Sequence, residues 1–331
     1  MIIRKSLYFD KFSCIAAACS DSCCKEWQVE LDDITAQNYL NLKGDLGERL
    51  RKVMYQDDGT WVFNNINDRC PMWRNDGLCR IQAELGEASL CNTCRQFPRL
   101  THDYGDFKEY TLELSCPEAA RLILESGFAP MQEEVNFETS KADYDTIDMQ
   151  ILLRTREKML HILSDKTRPV GEVLALALLY GCQAQSELDG GKEQDFDMQS
   201  ALNIAHKQAK GGNVQDIINF FKGLEILTPQ WKERLKNPKN SLWQVKHLNL
   251  ARYFVERYWL QAISDFDLYA RVKFMIISCL LVKFLGGDII ETAQLYSKEI
   301  ENNADNLEAI FTAAYNNPAF TDDKLLGLLI A

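Results

Sequence analysis

No stretch of this chain reaches the roughly 18 uninterrupted apolar residues that a membrane span requires. The best candidate, FMIISCLLVKFL from Phe274 to Leu285, is too short and carries Lys283, so no membrane partner is expected. A basic surplus is also missing. Against 48 acidic residues stand 37 Lys and Arg, a formal net charge of -11, with a pI near 5.0. Nothing offers the basic stripe that phosphate neutralisation needs, so no nucleic-acid partner is expected. Four dispersed histidines do not make a histidine-based metal centre. The chain has no G-x-G-x-x-G after a strand, no P-loop, no G-x-S-x-G elbow and no H-E-x-x-H. Its second half lacks alternating strand and helix units, which argues against a doubly wound nucleotide fold. There is no repeat period and no low-complexity tract.

What remains is a globular composition. With 331 residues, 46% apolar and 26% charged, the chain suits two ordinary domains or one large one. Its acidity aids solubility and could also steer a lysine-rich protein towards it. At the N-terminus Arg4, Lys5 and Lys11 precede the run CIAAAC, in the manner of an export signal. Asp10 and Lys11 cut that apolar region to about seven residues, the lower end for a signal core. A cytoplasmic location is expected, where thiols stay reduced.

Cysteine is the feature in excess. Nine of eleven fall in the first 116 residues: Cys14, Cys19, Cys23, Cys24, Cys70, Cys79, Cys91, Cys94 and Cys116. Cys182 and Cys279 stand alone in apolar helical patterns and are expected in the core. A disulfide framework for the nine is disfavoured by compartment, by the odd number and by a chain long enough to build a core. Metal ligation accounts for them better, since thiolate ligands come in pairs from tight turns. Three residues separate Cys19 from Cys23, and two separate Cys91 from Cys94. Cys70 and Cys116 are each followed by proline, a step that also closes the bacterial ferredoxin ligand run. Nine thiolates could furnish two four-cysteine zinc sites with one spare, or a single [4Fe–4S] cluster. Cys23 and Cys24, as neighbours, are not expected to share one ion. His102, in a loop setting, is a further conceivable ligand, though solvation is its ordinary state.

The fold class expected is mainly α: an irregular cysteine-rich metal-binding module over residues 1–125, then an all-α helical domain over residues 126–331. DDITAQNYLNL reads as a short helix capped by Asp32 or Asp33, with Ile34, Tyr39 and Leu42 facing inward. DDGTWVFNN and DYGDFKEYTLEL each read as a turn leading into a strand, a small antiparallel ribbon. From Asp143 onward the apolar spacing is helical. Ile151, Leu152, Met159, Leu160 and Leu163 set one stripe, Pro169 opens the next helix, and about eight helices are expected in a bundle. The aromatics of RYFVERYWLQ suit packing, while Arg252 and Arg257 beside them leave a groove role open.

The order SCIAAACSDSCC, RCPMW, GLCRIQAELGEASLCNTCRQFPR and LSCPEA resembles the flagellin lysine-N-methylases and the wider group of cysteine-rich zinc- or iron-chelating proteins that share this domain. The matching segments span about residues 8 to 120. The resemblance implies transfer of methyl groups from S-adenosylmethionine to lysines of flagellin, in the cytoplasm, by a protein-lysine N-methyltransferase. It also implies an iron–sulfur cluster, [4Fe–4S] or related, with zinc as the alternative. Two departures bear on the cofactor site. The C-x3-C-x2-C run of another cluster-dependent family is absent, since Glu26 stands where its third cysteine would be. The glycine-rich methyltransferase fingerprint is missing too. Arg95 and Arg99 are the expected contacts for the S-adenosylmethionine carboxylate, because guanidinium forks suit that group; pairing with local acids is the other account. A reading from a different class is a non-enzymatic zinc- or iron-chelating module whose helical half docks a partner.

Overall fold

The computed structural model describes residues 1–25, 28–66, 69–135 and 142–331; Glu26 lies outside them. In chain order the front region holds β1 (Ile2–Lys5), β2 (Glu30–Leu31), α1 (Asp33–Asn41), α2 (Asp45–Val53), β3 (Met54–Asp57) and β4 (Thr60–Phe63). There follow α3 (Arg80–Leu85), α4 (Asn92–Gln96), β5 (Arg99–Asp103), β6 (Phe107–Leu112), α5 (Pro117–Glu125) and β7 (Gln132–Val135). Asp32 caps α1 by accepting the Thr35 N–H at 3.0 Å, the device that exposed first-turn donors need. Tyr39 faces inward as expected, but Ile34 is 76% exposed and Ala36 takes its place in the core. The helix meets its neighbours through one narrow stripe, and Ile34 falls outside it. Asp58 and Gly59 both adopt positive φ, the two-residue turn that matches strand twist. They close the β3–β4 hairpin, and β2 adds to its other edge.

The expected ribbon at residues 99–112 is part of a larger sheet of order β5-β6-β1-β7. β1 runs parallel to β6 and antiparallel to β7, so the first residues of the chain lie inside a sheet whose other strands come a hundred residues later. Its four residues carry little periodicity, which is why the strand is silent in the sequence.

The helical region comprises α6 (Thr146–Leu163), α7 (Val170–Leu188), α8 (Met198–Gln208), α9 (Val214–Lys222), α10 (Pro229–Lys236), α11 (Val245–Tyr258), α12 (Leu268–Leu285), α13 (Ile289–Ile300), α14 (Ala304–Asn316) and α15 (Asp322–Ile330). Ten described helices replace the expected eight or so. The additional ones are short, and α8 and α10 are rich in polar residues. Pro169 stands just ahead of α7, and Leu152, Met159 and Leu163 point inward from α6. The chain is mainly α.

Packing follows two cores. The larger joins the helices to Tyr8, Phe12, Phe107, Leu112 and Leu114 and to the inner face of α5. A smaller one, built from Val29, Leu31, Tyr39, Leu50, Phe63, Met72 and Ile81, holds the segment from β2 to Cys91. α12 includes the apolar run Phe274–Leu285 and is buried along nearly its whole length. No described helix is long and apolar enough to cross a membrane.

Candidate metal centre

The nine early cysteines come from five segments that local hydrogen bonding draws towards one another, with Cys23 and Cys24 hydrogen-bonded through their side chains where the segments meet. Lys25 bridges antiparallel to Arg69, and Cys70 N–H donates to the Cys24 carbonyl at 2.7 Å, so residues 46 positions apart in sequence meet side by side. Arg49 clamps the Pro71 carbonyl at 2.8 Å. A bridge from Trp73 to Cys79 turns the chain back. Asp32 uses its second carboxylate oxygen to accept the Asn92 N–H at 2.9 Å, and Thr93 Oγ1 donates to the Glu30 carbonyl. Those contacts draw Cys91 and Cys94 onto the same small core. Cys70 and Cys91 are members of that core, and Cys24, Cys79 and Cys94 pack against it.

Cys14, Cys19, Cys23 and Cys116 lie outside that small core. Cys14 Sγ accepts the Ala16 N–H at 3.4 Å, and the Cys19 thiol donates to the Asp21 carbonyl. Asp21 is gripped from α13: Lys298 Nζ lies 3.0 Å from Oδ2 and Gln294 Nε2 lies 3.2 Å from it. The same Gln294 donates to the Ser115 carbonyl at 2.7 Å, which brings the Cys19–Cys23 loop against Cys116. Cys116 packs into the larger core, whereas Cys14 and Cys23 are exposed.

The electrostatics run through the hydrogen bonds between neighbouring thiols. Cys24 is drawn well down in pKa because Cys23 and Cys70 hydrogen-bond to it, against the effect of burial. Cys70 is pushed up by that same bond and by burial. Cys91 is lowered by its bond with Cys94, and Cys94 is raised by it. Cys116 rises to about 11 through burial, with the nearby charges of Cys19 and Cys14 adding to the effect. Asp21 stays below its ordinary value because Lys25 and Lys298 outweigh the burial that opposes its charge.

The donor set is sulfur alone. His102 is not among the thiols. It is a half-buried residue of β5, not a solvated loop residue, and its pKa is lowered by burial and then by Arg257. Soft thiolates without histidine suit zinc or iron–sulfur groups. Among the described residues, no three Cys, His, Asp or Glu side chains converge as closely as the ligands of a single ion. Around zinc, with bonds of about 2.3 Å, four sulfurs crowd within about 4 Å of one another.

The remaining candidate residues lie elsewhere. Arg95 is exposed and donates to Asn92. Arg99, also exposed, lies with its guanidinium 5.2 Å from the Phe12 ring centroid, two residues before Cys14. Arg252 and Arg257 are not groove residues. Arg252 is 2% exposed and donates to the Ile123 carbonyl at 2.9 Å; Arg257 lies 3.2 Å from buried Glu301. Cys279 is buried as expected, but Cys182 is exposed, on the outer face of α7. A concavity of about 640 Å³ is lined by Asp305, Glu308, Thr312 and Asn316 among others. It holds no cation to receive the S-adenosylmethionine carboxylate and is built on α14, so it does not fit that molecule.

Over 129 aligned residues the chain is 33% identical to the flagellar biosynthetic protein FliU of Salmonella muenchen, a match covering 37% of this chain and 76% of that protein. It is 32% identical over 129 residues to proteins named lysine-N-methylase from Salmonella typhimurium and Salmonella choleraesuis, covering 37% of this chain and 32% of each. The match therefore spans about a third of the length of those two methylases. No family model and no solved structure matches the chain.

Proposed function

The chain belongs to the family of FliU and the lysine-N-methylases, and on that footing we propose that it methylates lysine side chains of a flagellar protein, flagellin, using S-adenosylmethionine. The observation that carries this reading is the likeness to relatives bearing those names, joined to the convergence of early thiols from five separate segments. In the proposed reaction the lysine nitrogen attacks the sulfonium methyl, the carbon–sulfur bond breaks, and S-adenosylhomocysteine leaves with the electron pair. The nitrogen must first lose its proton. An unperturbed lysine, with a pKa of about 10.4, needs a desolvating site or a nearby base to do so near neutrality. The acidic surface would gather basic segments of the substrate.

The early cysteines would hold an iron–sulfur cluster, with zinc as the alternative, and such a group supplies either rigidity or an open coordination position. Arg99 is the better of the two expected contacts, because it borders the Cys14 loop while Arg95 is engaged by Asn92. A cytoplasmic setting with reduced thiols belongs to the same proposal.

The test is incubation of anaerobically purified protein with flagellin and methyl-labelled S-adenosylmethionine, with labelled lysines located by mass spectrometry. Label on flagellin lysines is the expected result. Its absence from protein with a full metal complement would favour instead a non-enzymatic chelating module whose helical half docks a partner.

A further inference from the structure

We propose that Glu113 is the base that takes the proton from the substrate lysine. This rests on the methylation reading and deepens it, by naming the residue that makes the attacking nitrogen neutral.

Glu113 follows β6 and opens the segment that carries Cys116. Its backbone N–H donates to the Pro98 carbonyl at 2.7 Å, and Leu112 before it pairs in register with Arg99. Its backbone therefore adjoins Arg99, the better contact for the cofactor carboxylate. Gln294 of α13 ties the same segment to the thiol loop, donating to the Ser115 carbonyl and to Asp21. Ser115 Oγ donates to Glu113 Oε1 at 2.6 Å and so fixes a carboxylate that is only half-buried.

Behind Glu113 lies a buried polar cluster whose charges do not cancel. Glu301, just beyond α13, is fully buried at its side chain and accepts from Tyr253 at 3.0 Å and Tyr258 at 2.7 Å. Arg257 lies 3.2 Å from Glu301 and donates to the Tyr253 hydroxyl, which also accepts the Leu114 N–H at 3.3 Å. Glu113 is close enough for its charge to act on both Arg257 and Tyr253, yet the guanidinium is committed to Glu301. Among the described residues no cation forms an ion pair with Glu113. Two carboxylates against one guanidinium leave a negative charge over, on the carboxylate that reaches solvent. A lysine ammonium brings the charge and the donors that complete this balance.

Once a substrate segment covers Glu113 and shuts out water, ammonium and carboxylate both lose solvation. The neutral pair is then favoured, and the proton moves from lysine Nζ to a Glu113 oxygen. The freed lone pair attacks the sulfonium methyl, the carbon–sulfur electron pair leaves with S-adenosylhomocysteine, and Glu113 returns its proton to water as products depart. The charged and titratable groups around it are Arg257, Tyr253 and Tyr258 of α11, Glu301 beyond α13 and Arg99 at the start of β5. Arg257 opposes protonation of the carboxylate, and Glu301 favours it.

The test compares unaltered protein with Glu113→Gln, using flagellin and methyl-labelled S-adenosylmethionine. Glutamine keeps an acceptor for Ser115, so Tm should be unchanged. Near neutrality kcat/KM for flagellin is expected to fall about 100-fold. The variant depends on amine that is already neutral, so its rate should climb about tenfold per pH unit towards the lysine pKa of about 10.4. Unaltered protein should vary far less, and the gap should close as pH rises. Glu113→Asp retains a carboxylate and should keep the shallow profile at a reduced rate, a reading that stands even if the glutamine variant fails to fold. Parallel profiles for the unaltered and glutamine proteins, or a steep one for Glu113→Asp, overturn the proposal while the methylation reading stands. Unaltered protein that leaves flagellin unlabelled overturns both.

Discussion

His247 stands in the first turn of α11, where its Nδ1 accepts the Gln244 N–H at 3.0 Å and no partner meets Nε2. Burial, aided by Lys283 and opposed by the hydrogen bond with the Gln244 backbone, brings its pKa down to about 4. The unfolded histidine titrates near 6.5. Between those values the unfolded chain binds a proton that the folded one refuses, so stability falls as pH drops from about 6.5 to about 4, by up to about 3 kcal/mol. His247→Asn retains an acceptor for Gln244 and removes the titration. Urea midpoints at pH 7, 5.5 and 4.5 should decline less steeply in the variant, and identical slopes would refute the assignment. A second residue-scale case is Glu109, 1% exposed, whose two oxygens accept from Arg156 at 2.6 and 2.7 Å. Glu109→Ala strands a buried guanidinium and should cost about 3–5 kcal/mol in urea unfolding. Adding Arg156→Met should restore part of the loss, since the pair is worth less than the penalty of breaking it.

At the scale of elements, close approach places demands that periodicity does not announce. A Cβ at Gly171, in the first turn of α7, would fall 1.9 Å from the Leu329 carbonyl oxygen of α15. Backbone cannot yield as a flexible side chain does. Gly171→Ala should therefore destabilise by about 1–3 kcal/mol despite the better helix propensity of alanine. Gly127→Ala, with nothing within 4 Å of the added atom, is the control and should leave Tm almost unchanged. Differential scanning calorimetry of both variants decides the matter, and equal Tm values would show that the α7–α15 contact relaxes freely.

The whole molecule raises the question of which parts open together. α5 precedes the expected boundary at residue 125, yet its buried face, Ala119, Ala120, Ile123 and Leu124, packs in the core shared with the helices. Arg252 and Asn249 of α11 donate to the Ile123 and Leu124 carbonyls at 2.9 and 2.7 Å. In native-state hydrogen exchange, amides of α5 and β6 should open with those of α11 and α12, while α1 and α2 exchange as a separate, less stable unit. Exchange of α5 in step with α1 would place the boundary where the sequence suggested it.

Much of this was legible in the chain itself. Asp32 announces a helix start because a carboxylate beside first-turn N–H groups acts locally, and the stripe through Leu152, Met159 and Leu163 reports a buried face for the same reason. The crowding of nine thiols into the front third needed no coordinates either, since cysteine pairs at turn spacing carry their own chemistry. Other features depend on partners distant in sequence. β1 exists because β6 and β7 flank it. Cys182 lies outside and Cys279 inside because of what packs on their helices, although both sit in apolar runs. Above all, Cys24 meets Cys70 across 46 residues, while Asp21, two residues before Cys23, is held from α13. Contacts across tens to hundreds of residues leave no mark on local spacing, so only the folded chain could reveal which thiols stand together.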